Sequence, residues 1–442
     1  MSQQFSLPSS SRLERDVRQM HASPEKVAPG EIALGVVIGR MSEFFDFFVY
    51  AIASVLVFPG LFFPMVDRLT GTLYAFAIFA LAFIARPVGS VLFTAIDRRH
   101  GRGVKLTIAL FLLGGSTAAI SFLPGYKVLG PAAIWLLAAC RIGQGLALAG
   151  AWDGLASLLA LNAPAKRRGW YAMIPQLGAP LGFLLASGLF AYFVGSLSSP
   201  DFLEWGWRYP FFVAFAINVV ALFARLRIVA TEDFGEMFES RELRPVSVIQ
   251  MMRAEGGNVL IGAFAPLATF AMFHLVTVFP LSWITLYTHE QAVNFLRIEM
   301  VGACVGILGI MASGWIADRI NRRNQLALSA LLIGAFSLLA PRLLAGGSRG
   351  EAIYLLAGFA ILGLSFGQAA GSVSSNFSKR YRYTGAAVTS DLSWLVGAGF
   401  APLAALGLAS RFGLPAIGFY LASGALCTLV ALTINRRLHL KD

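Results

Sequence analysis

Three ionisable side chains interrupt the first long apolar stretch of the 442-residue sequence: Arg40, Glu43 and Asp46, spaced i, i+3, i+6. On a helix turning about 100° per residue they lie within about 120° of one another, with Tyr50 on the same side. An acid beside a cation on one face of an apolar helix suits a proton acceptor whose affinity the cation tunes. The simpler alternative is a buried structural pair of Arg40 and Glu43. Asp46, which lies deeper, is the preferred acceptor. Arg40 either contacts a ligand or reaches out to the interface. Further along, Arg141 and Gln144 share a helical face, with Gly145 beside them to permit a close helix approach. Asp153 falls about 120° from Arg141, towards a cavity or towards another helix.

Other isolated charges carry similar options. Arg86 precedes Pro87 and either forks onto a carboxylate ligand or clamps loop carboxylates. Asp391, three residues before Trp394, forms a polar and aromatic wall for a small ligand or caps a helix. His274, in an apolar stretch, is either a hydrogen-bonded core residue or a protonation-coupled group. Arg208 reads as an interface anchor or a substrate contact, and Glu299 as a side chain that reaches solvent. Tyr50, Trp152 and Trp394 are the expected aromatic cavity walls.

The elements that hold these groups follow from composition. Hydrophobic residues make up 57% and charged residues 13% of the chain, with mean hydropathy +0.70. An ordinary soluble domain is about 25% charged, so this chain cannot keep a wet surface and is read as an all-α membrane protein. An ionisable group near the bilayer centre costs a few kcal/mol or more, so those retained usually line a cavity. Apolar stretches of about 20 residues, the span of the hydrocarbon core, fall at 33–58, 70–93, 104–124, 131–160, 170–194, 208–229, 258–287, 296–316, 325–344, 352–376, 386–409 and 414–435. Gly178-Ala179-Pro180-Leu181-Gly182 marks a bend in the fifth span.

Twelve spans put both termini on one side. Of 35 Lys and Arg, 25 lie in the tails, in the loops after even-numbered spans and at the span ends flanking those loops (Lys105, Arg225 and Arg227), six in or beside the opposite loops, and four elsewhere within or at the edge of spans. The positive-inside rule therefore predicts cytoplasmic termini. The expected layout is a cytoplasmic tail (1–30), a six-helix half (31–229), a charged cytoplasmic connection (230–257), a second half (258–435) and a short tail (436–442). An internal repeat supports it: Asp97-Arg98-Arg99-His100-Gly101-Arg102 after span 2 parallels Asp318-Arg319-Ile320-Asn321-Arg322-Arg323 after span 8, the aspartates 221 residues apart. Paired halves place substrate sites at their interface. The +12 net charge follows these loops rather than a nucleic-acid patch, and nucleic-acid binding is not expected. Cys140, Cys304 and Cys427 form no metal-ligand spacing, and no short apolar core with a cleavage site precedes the first span. No enzyme, ATP-binding or Na⁺-site motif is present, and neither metal nor cofactor is expected.

The run G-x-x-x-D-R-x-x-R-R at 314–323 resembles the loop signature of the major facilitator superfamily, with Asn321 where the family usually has Gly. The loop after span 2 is a poorer match, with Thr94 and Arg98 in place of the expected Gly and Asp. Glu43-Phe44-Phe45-Asp46-Phe47, Ala85-Arg86-Pro87-Val88-Gly89, Arg141-Ile142-Gly143-Gln144-Gly145, Pro175-Gln176-Leu177-Gly178-Ala179-Pro180-Leu181-Gly182, Gly206-Trp207-Arg208-Tyr209-Pro210-Phe211 and Tyr381-Arg382-Tyr383-Thr384-Gly385 are similar to the metabolite:proton symporter family. Where that family often shows Gly-Gly-Glu-Trp-Gly-Gly, this chain reads Ala149-Gly150-Ala151-Trp152-Asp153-Gly154.

The resemblance implies a twelve-helix fold in two halves and proton-coupled uptake of a small metabolite, most often a carboxylate, sometimes a zwitterionic osmolyte. It implies a monomer in a bacterial cytoplasmic membrane. Proton coupling is assigned to Asp46, Glu43, Arg141 and Asp153. Substrate contact is assigned to Arg40, Tyr50, Arg86, Gln144, Trp152, Gln176, His274, Asp391 and Trp394. Gating is assigned to Asp97, Arg98, Arg102, Asp318, Arg319 and Arg322. A drug/proton antiporter shares the fold and most charges; the arginines Arg40, Arg86 and Arg141 favour an anionic cargo instead.

Overall fold

Long apolar runs of good helix formers, interrupted by Gly and Pro near their ends, fold as helices because lipid leaves no other way to satisfy the backbone. The computed structural model describes residues 29–151, 159, 163–229, 244–374 and 377–434, and among these no strand occurs. The spanning helices are α1 (Pro29–Leu56), α2 (Arg68–His100), α3 (Arg102–Phe122), α4 (Pro131–Gly150), α5 (Arg168–Ser196), α6 (Tyr209–Val229), α7 (Leu267–Tyr287), α8 (Ala292–Ile320), α9 (Arg322–Leu344), α10 (Gly347–Ser374), α11 (Arg382–Phe412) and α12 (Pro415–Ile434). Eleven described helices are apolar and long enough to cross a membrane. α1 adds 28 residues and carries the Arg40, Glu43, Asp46 set.

Several elements depart from even spans. α2 continues to His100, so Asp97 and Arg98 are helical rather than in a loop. A single residue of positive φ separates α2 from α3, Gly101 at 85°, and α8 from α9, Asn321 at 65°. Asn is among the few residues with a side chain that tolerate positive φ. Its side chain also accepts from the Asn324 amide (3.0 Å), which caps α9. α5 does bend, but at the 3₁₀ turn Ile174–Leu177, just before the Gly-Ala-Pro run. α7 is broken at Val278 and is led in by the helix Val248–Phe264, which begins within the expected central connection. α11 contains a π segment, Trp394–Gly399. The halves meet chiefly along α5 with α8 and α2 with α11.

Candidate substrate and coupling site

On α1 the expected polar face exists, and it points into the N-terminal half. Asp46 is almost fully buried and bears no direct ion pair. Its oxygens accept from Thr117 on α3 (2.7 and 2.8 Å), Gln144 on α4 (3.0 Å) and Asn218 on α6 (2.8 Å). Ser42 donates to the Asn218 carbonyl (2.5 Å), which fixes the amide's orientation. One helical turn earlier, Glu43 is held between Arg40 (2.8 Å) and Arg225 of α6 (2.5 Å). Arg225 also donates to the Ala151 carbonyl at the end of α4 (3.0 Å). Asn218 and Arg225, seven residues apart on α6, thus match Asp46 and Glu43 across an α1–α6 seam.

Arg141 links this seam to the space between the halves. It donates to Gln144 (3.1 Å) and to the Phe79 carbonyl (3.2 Å), and its guanidinium lies over the rings of Tyr50 (4.0 Å) and Phe79 (4.6 Å). Gly145 brings α4 onto α2: a Cβ there would meet the Ala82 Cα at 2.6 Å. From the C-terminal half, His274 inserts its ring among Phe47 (5.3 Å), Phe79 (5.4 Å), Phe83 (6.0 Å) and Phe273 (5.2 Å). Arg141 Nη2, Tyr50 Oη and both His274 ring nitrogens are buried without a hydrogen-bond partner. Phe79 touches the rings of Tyr50 and His274 as well as the Arg141 guanidinium, so these orphaned groups surround one aromatic side chain. A buried polar atom left unpaired costs about 1–3 kcal/mol, so four of them around one ring make this cluster the candidate site.

Above this cluster, Phe44, Phe48, Phe270, Phe273, Phe366 and Trp394 close the centre, with ring centroids between 4.6 and 6.5 Å. An apolar cavity of about 20 Å³ remains between the halves, lined among others by Phe48, Phe183, Phe273 and Phe359. That is room for about one water.

At one end of the bundle the halves are pinned. Arg86 on α2 bonds Asp391 on α11 through Nε and Nη2 (both 3.0 Å), Ser90 donates to the other Asp391 oxygen, and Trp394 lies 5.9 Å from the guanidinium. Asp97 meets Arg102 (3.3 Å), Lys105 (3.4 Å) and the Tyr383 hydroxyl of α11 (3.3 Å), and Lys105 also donates to Tyr383 (2.9 Å). The Asp318 carboxylate of α8 accepts from the first amides of α5, Gly169 (2.6 Å) and Trp170 (3.2 Å). Gln368 of α10 donates to the Gly169 carbonyl (3.1 Å), and Arg322 reaches Gln368 (3.5 Å). Each repeat aspartate thus has a contact with the first turn of a helix in the opposite half, Asp97 through the Tyr383 side chain and Asp318 through backbone amides.

The remaining expected residues fall less centrally. Arg98 and Arg319 are exposed, Arg319 lying over Trp315 (3.4 Å). Gln176 is buried in the 3₁₀ turn that packs on α1. Arg208 is an anchor: it donates to the Leu123 carbonyl (3.1 Å) and the Ser121 carbonyl at the end of α3. Glu299 does not reach solvent. α8 begins at Ala292, four residues before the expected boundary, and the side chain is wholly buried. Trp152 and Asp153 lie outside the described residues. Arg225, Lys105, Tyr383, Asn218, Thr117 and Gln368 were not among the expected site residues.

A bundle of paired six-helix halves, pinned at one end and carrying unsatisfied polar groups at its centre, is the form of a secondary transporter. The chain belongs to the Major Facilitator Superfamily, whose family model matches residues 43–402. It is 34% identical over 414 residues to the inner membrane metabolite transport protein YhjE of Escherichia coli K12, covering 92% of this chain and 93% of that one. It is 30% identical to the shikimate transporter of the same organism, covering 91% and 92%. A crystal structure of the D-xylose-proton symporter shares the fold, with a TM-score of 0.69 at 17% identity and coverage of 92% and 97%. The protein is accordingly a membrane transporter and not an enzyme.

Proposed function

We propose that the protein is a monomeric proton-coupled symporter that imports a small organic carboxylate by alternating access, with both termini and the pinned end facing the cytoplasm. The single observation that carries this reading is the buried, unpartnered Nη2 of Arg141, together with Tyr50 Oη and the His274 ring, at the junction of the two halves. Arg141 would receive the carboxylate as a charge-assisted hydrogen bond, and Tyr50 and His274 would complete its coordination. The orientation is supported by the distribution of Lys and Arg among the loops.

Coupling follows from the chain Arg141–Gln144–Asp46. Asp46 accepts only from neutral donors, so it can exist as a carboxylate or as an acid without breaking an ion pair. A carboxylate drawn to Arg141 pulls on Gln144 and weakens its bond to Asp46. The loss of that donor favours the acid, and a proton enters from the outer water. Loaded with both, the halves rock, and the Arg86–Asp391, Asp97–Tyr383 and Asp318–Gly169 contacts give way to open the cytoplasmic end.

The aromatic box around Trp394 favours a second reading, a zwitterion such as betaine or proline, with the ammonium against ring faces and the carboxylate on Arg141.

The test is proton uptake by purified protein in proteoliposomes, at acid and alkaline pH, across mono-, di- and tricarboxylates plus proline and betaine. A carboxylate should drive alkalinisation outside the vesicles, lost in Asp46→Asn while substrate counterflow persists. Response to betaine alone selects the second reading. Silence across the panel with drug-driven proton release sinks both.

A further inference from the structure

Glu299 on α8 has no part in the machinery above. It is fully buried at 0% exposure, and neither carboxylate oxygen has a hydrogen-bond partner. It lies seven residues into α8, about 10 Å along the axis. Three and seven residues further on the same face are Gly302 and Gly306, which seat the ring of Phe359 from α10; a Cβ at Gly306 would meet that ring at 3.4 Å. Phe359 in turn walls the small cavity between the halves. The carboxyl therefore sits one turn from a helix contact that borders the moving interface.

Among the described residues no cation pairs with it. On the elements packed against this part of α8, the titratable groups are Tyr354, Glu351 and the exposed Arg349 on α10, Tyr192 on α5, Tyr287 on α7 and Arg342 on α9. Tyr354 donates to the Leu275 carbonyl (2.6 Å), while Tyr192, Tyr287 and Arg342 are exposed. Glu351 lines a surface hollow with Glu290 and Asn294, and Arg297 on α8 itself is exposed. An ionised carboxylate here would be a buried charge without a hydrogen-bond partner among the described residues, which costs more than protonating a carboxyl at neutral pH. The same group would ionise once water entered between α8 and α10.

We infer that Glu299 is a proton-binding site of the C-terminal half, holding a proton while α8 is closed on α10 and releasing it when that contact opens. The inference deepens the proton-coupled reading and rests on it for the proton's place in the transport cycle.

Infrared spectroscopy of the full-length protein in lipid tests it. A buried carboxylic acid gives a C=O stretch separate from carboxylate bands. It should be present at neutral pH in the wild type and in Asp46→Asn, and lost in Glu299→Gln; a band unchanged in Glu299→Gln overturns the inference. Gly302→Leu, which wedges α8 from Phe359, should weaken the band as water enters, and a band of wild-type strength there breaks the link to the α8–α10 contact. Proton-driven substrate accumulation should be lost in Glu299→Gln, and wild-type accumulation removes Glu299 from the cycle. Absence of such accumulation in the wild type itself brings down the proton-coupled reading and the cycle role together, while the infrared band still decides whether the proton is bound.

Discussion

Arg86 and Asp391 face each other across the two halves, 305 residues apart in sequence, with two guanidinium nitrogens on one carboxylate oxygen at 3.0 Å. Both side chains are largely sheltered, 15% and 5% exposed. Each was expected to contact substrate, and each is instead engaged with the other in this closed arrangement. Asp391→Asn should release the pinned end by about 2 kcal/mol, roughly thirty-fold in the open-to-closed ratio. Pulsed electron paramagnetic resonance between spin labels at positions 98 and 380, on a cysteine-free background, reads this directly. A single short distance unchanged by the substitution would show that the pair does not hold the halves.

Asp318 caps α5 from the opposite half, with its charge at the helix's positive end. Asp318→Asn keeps an acceptor for Gly169 but loses the charge and turns a donor towards Trp170, a loss of about 1 kcal/mol or more. Transport measured under an inward gradient should change several-fold, with the labelled pinned end more often open. Transport and distances that match the wild type would contradict this assignment.

His274 buries an imidazole with no hydrogen-bond partner. Replacing it with Phe fills the same cage and removes the unsatisfied nitrogens, so His274→Phe should hold or raise the melting temperature while abolishing substrate counterflow. Loss of both stability and transport would mark the histidine as a core residue and nothing more.

Arg141→Lys retains charge but not the planar fork that stacks on Tyr50 and reaches both Gln144 and the Phe79 carbonyl. Counterflow with the substrate identified by the panel should fall at least ten-fold. Activity within two-fold of wild type would remove Arg141 from the ligand site.

Gly145 sits against the Ala82 backbone. Gly145→Ala should separate α4 from α2 at a cost of about 1–3 kcal/mol, read as a lower melting temperature in detergent. An unaltered melting temperature would mean the two helices are free to part.

The twelve helices and the paired halves were legible because a 20-residue apolar run has few other fates in lipid, and because the repeat leaves matching charges after α2 and α8. The α1 set was legible for the same reason: ions in an apolar run stand out. The partners of those ions were not. Arg225 and Lys105 lie near helix ends, where the charge census assigns them to loops, yet long helices carry both into the core. Thr117 and Asn218 are neutral and common in such helices, so nothing in their type marks them. Tyr383 stood in a motif, but only the fold brings its hydroxyl to Asp97. Glu299 was misplaced because depth was counted from the expected start of α8, and the helix starts earlier.

The aromatic filling between the halves has a further meaning for a cell that stores energy across this membrane. With space for about one water in the cavity between the halves, the described aromatic side chains leave little room there for a file of solvent, which is what a carrier driven by a gradient, as proposed above, would need at rest. Cargo has to make its own room by turning aside phenyl and indole rings, and a molecule unable to make the contacts that offset this displacement stays outside. Insulation and selectivity thus come from the same side chains.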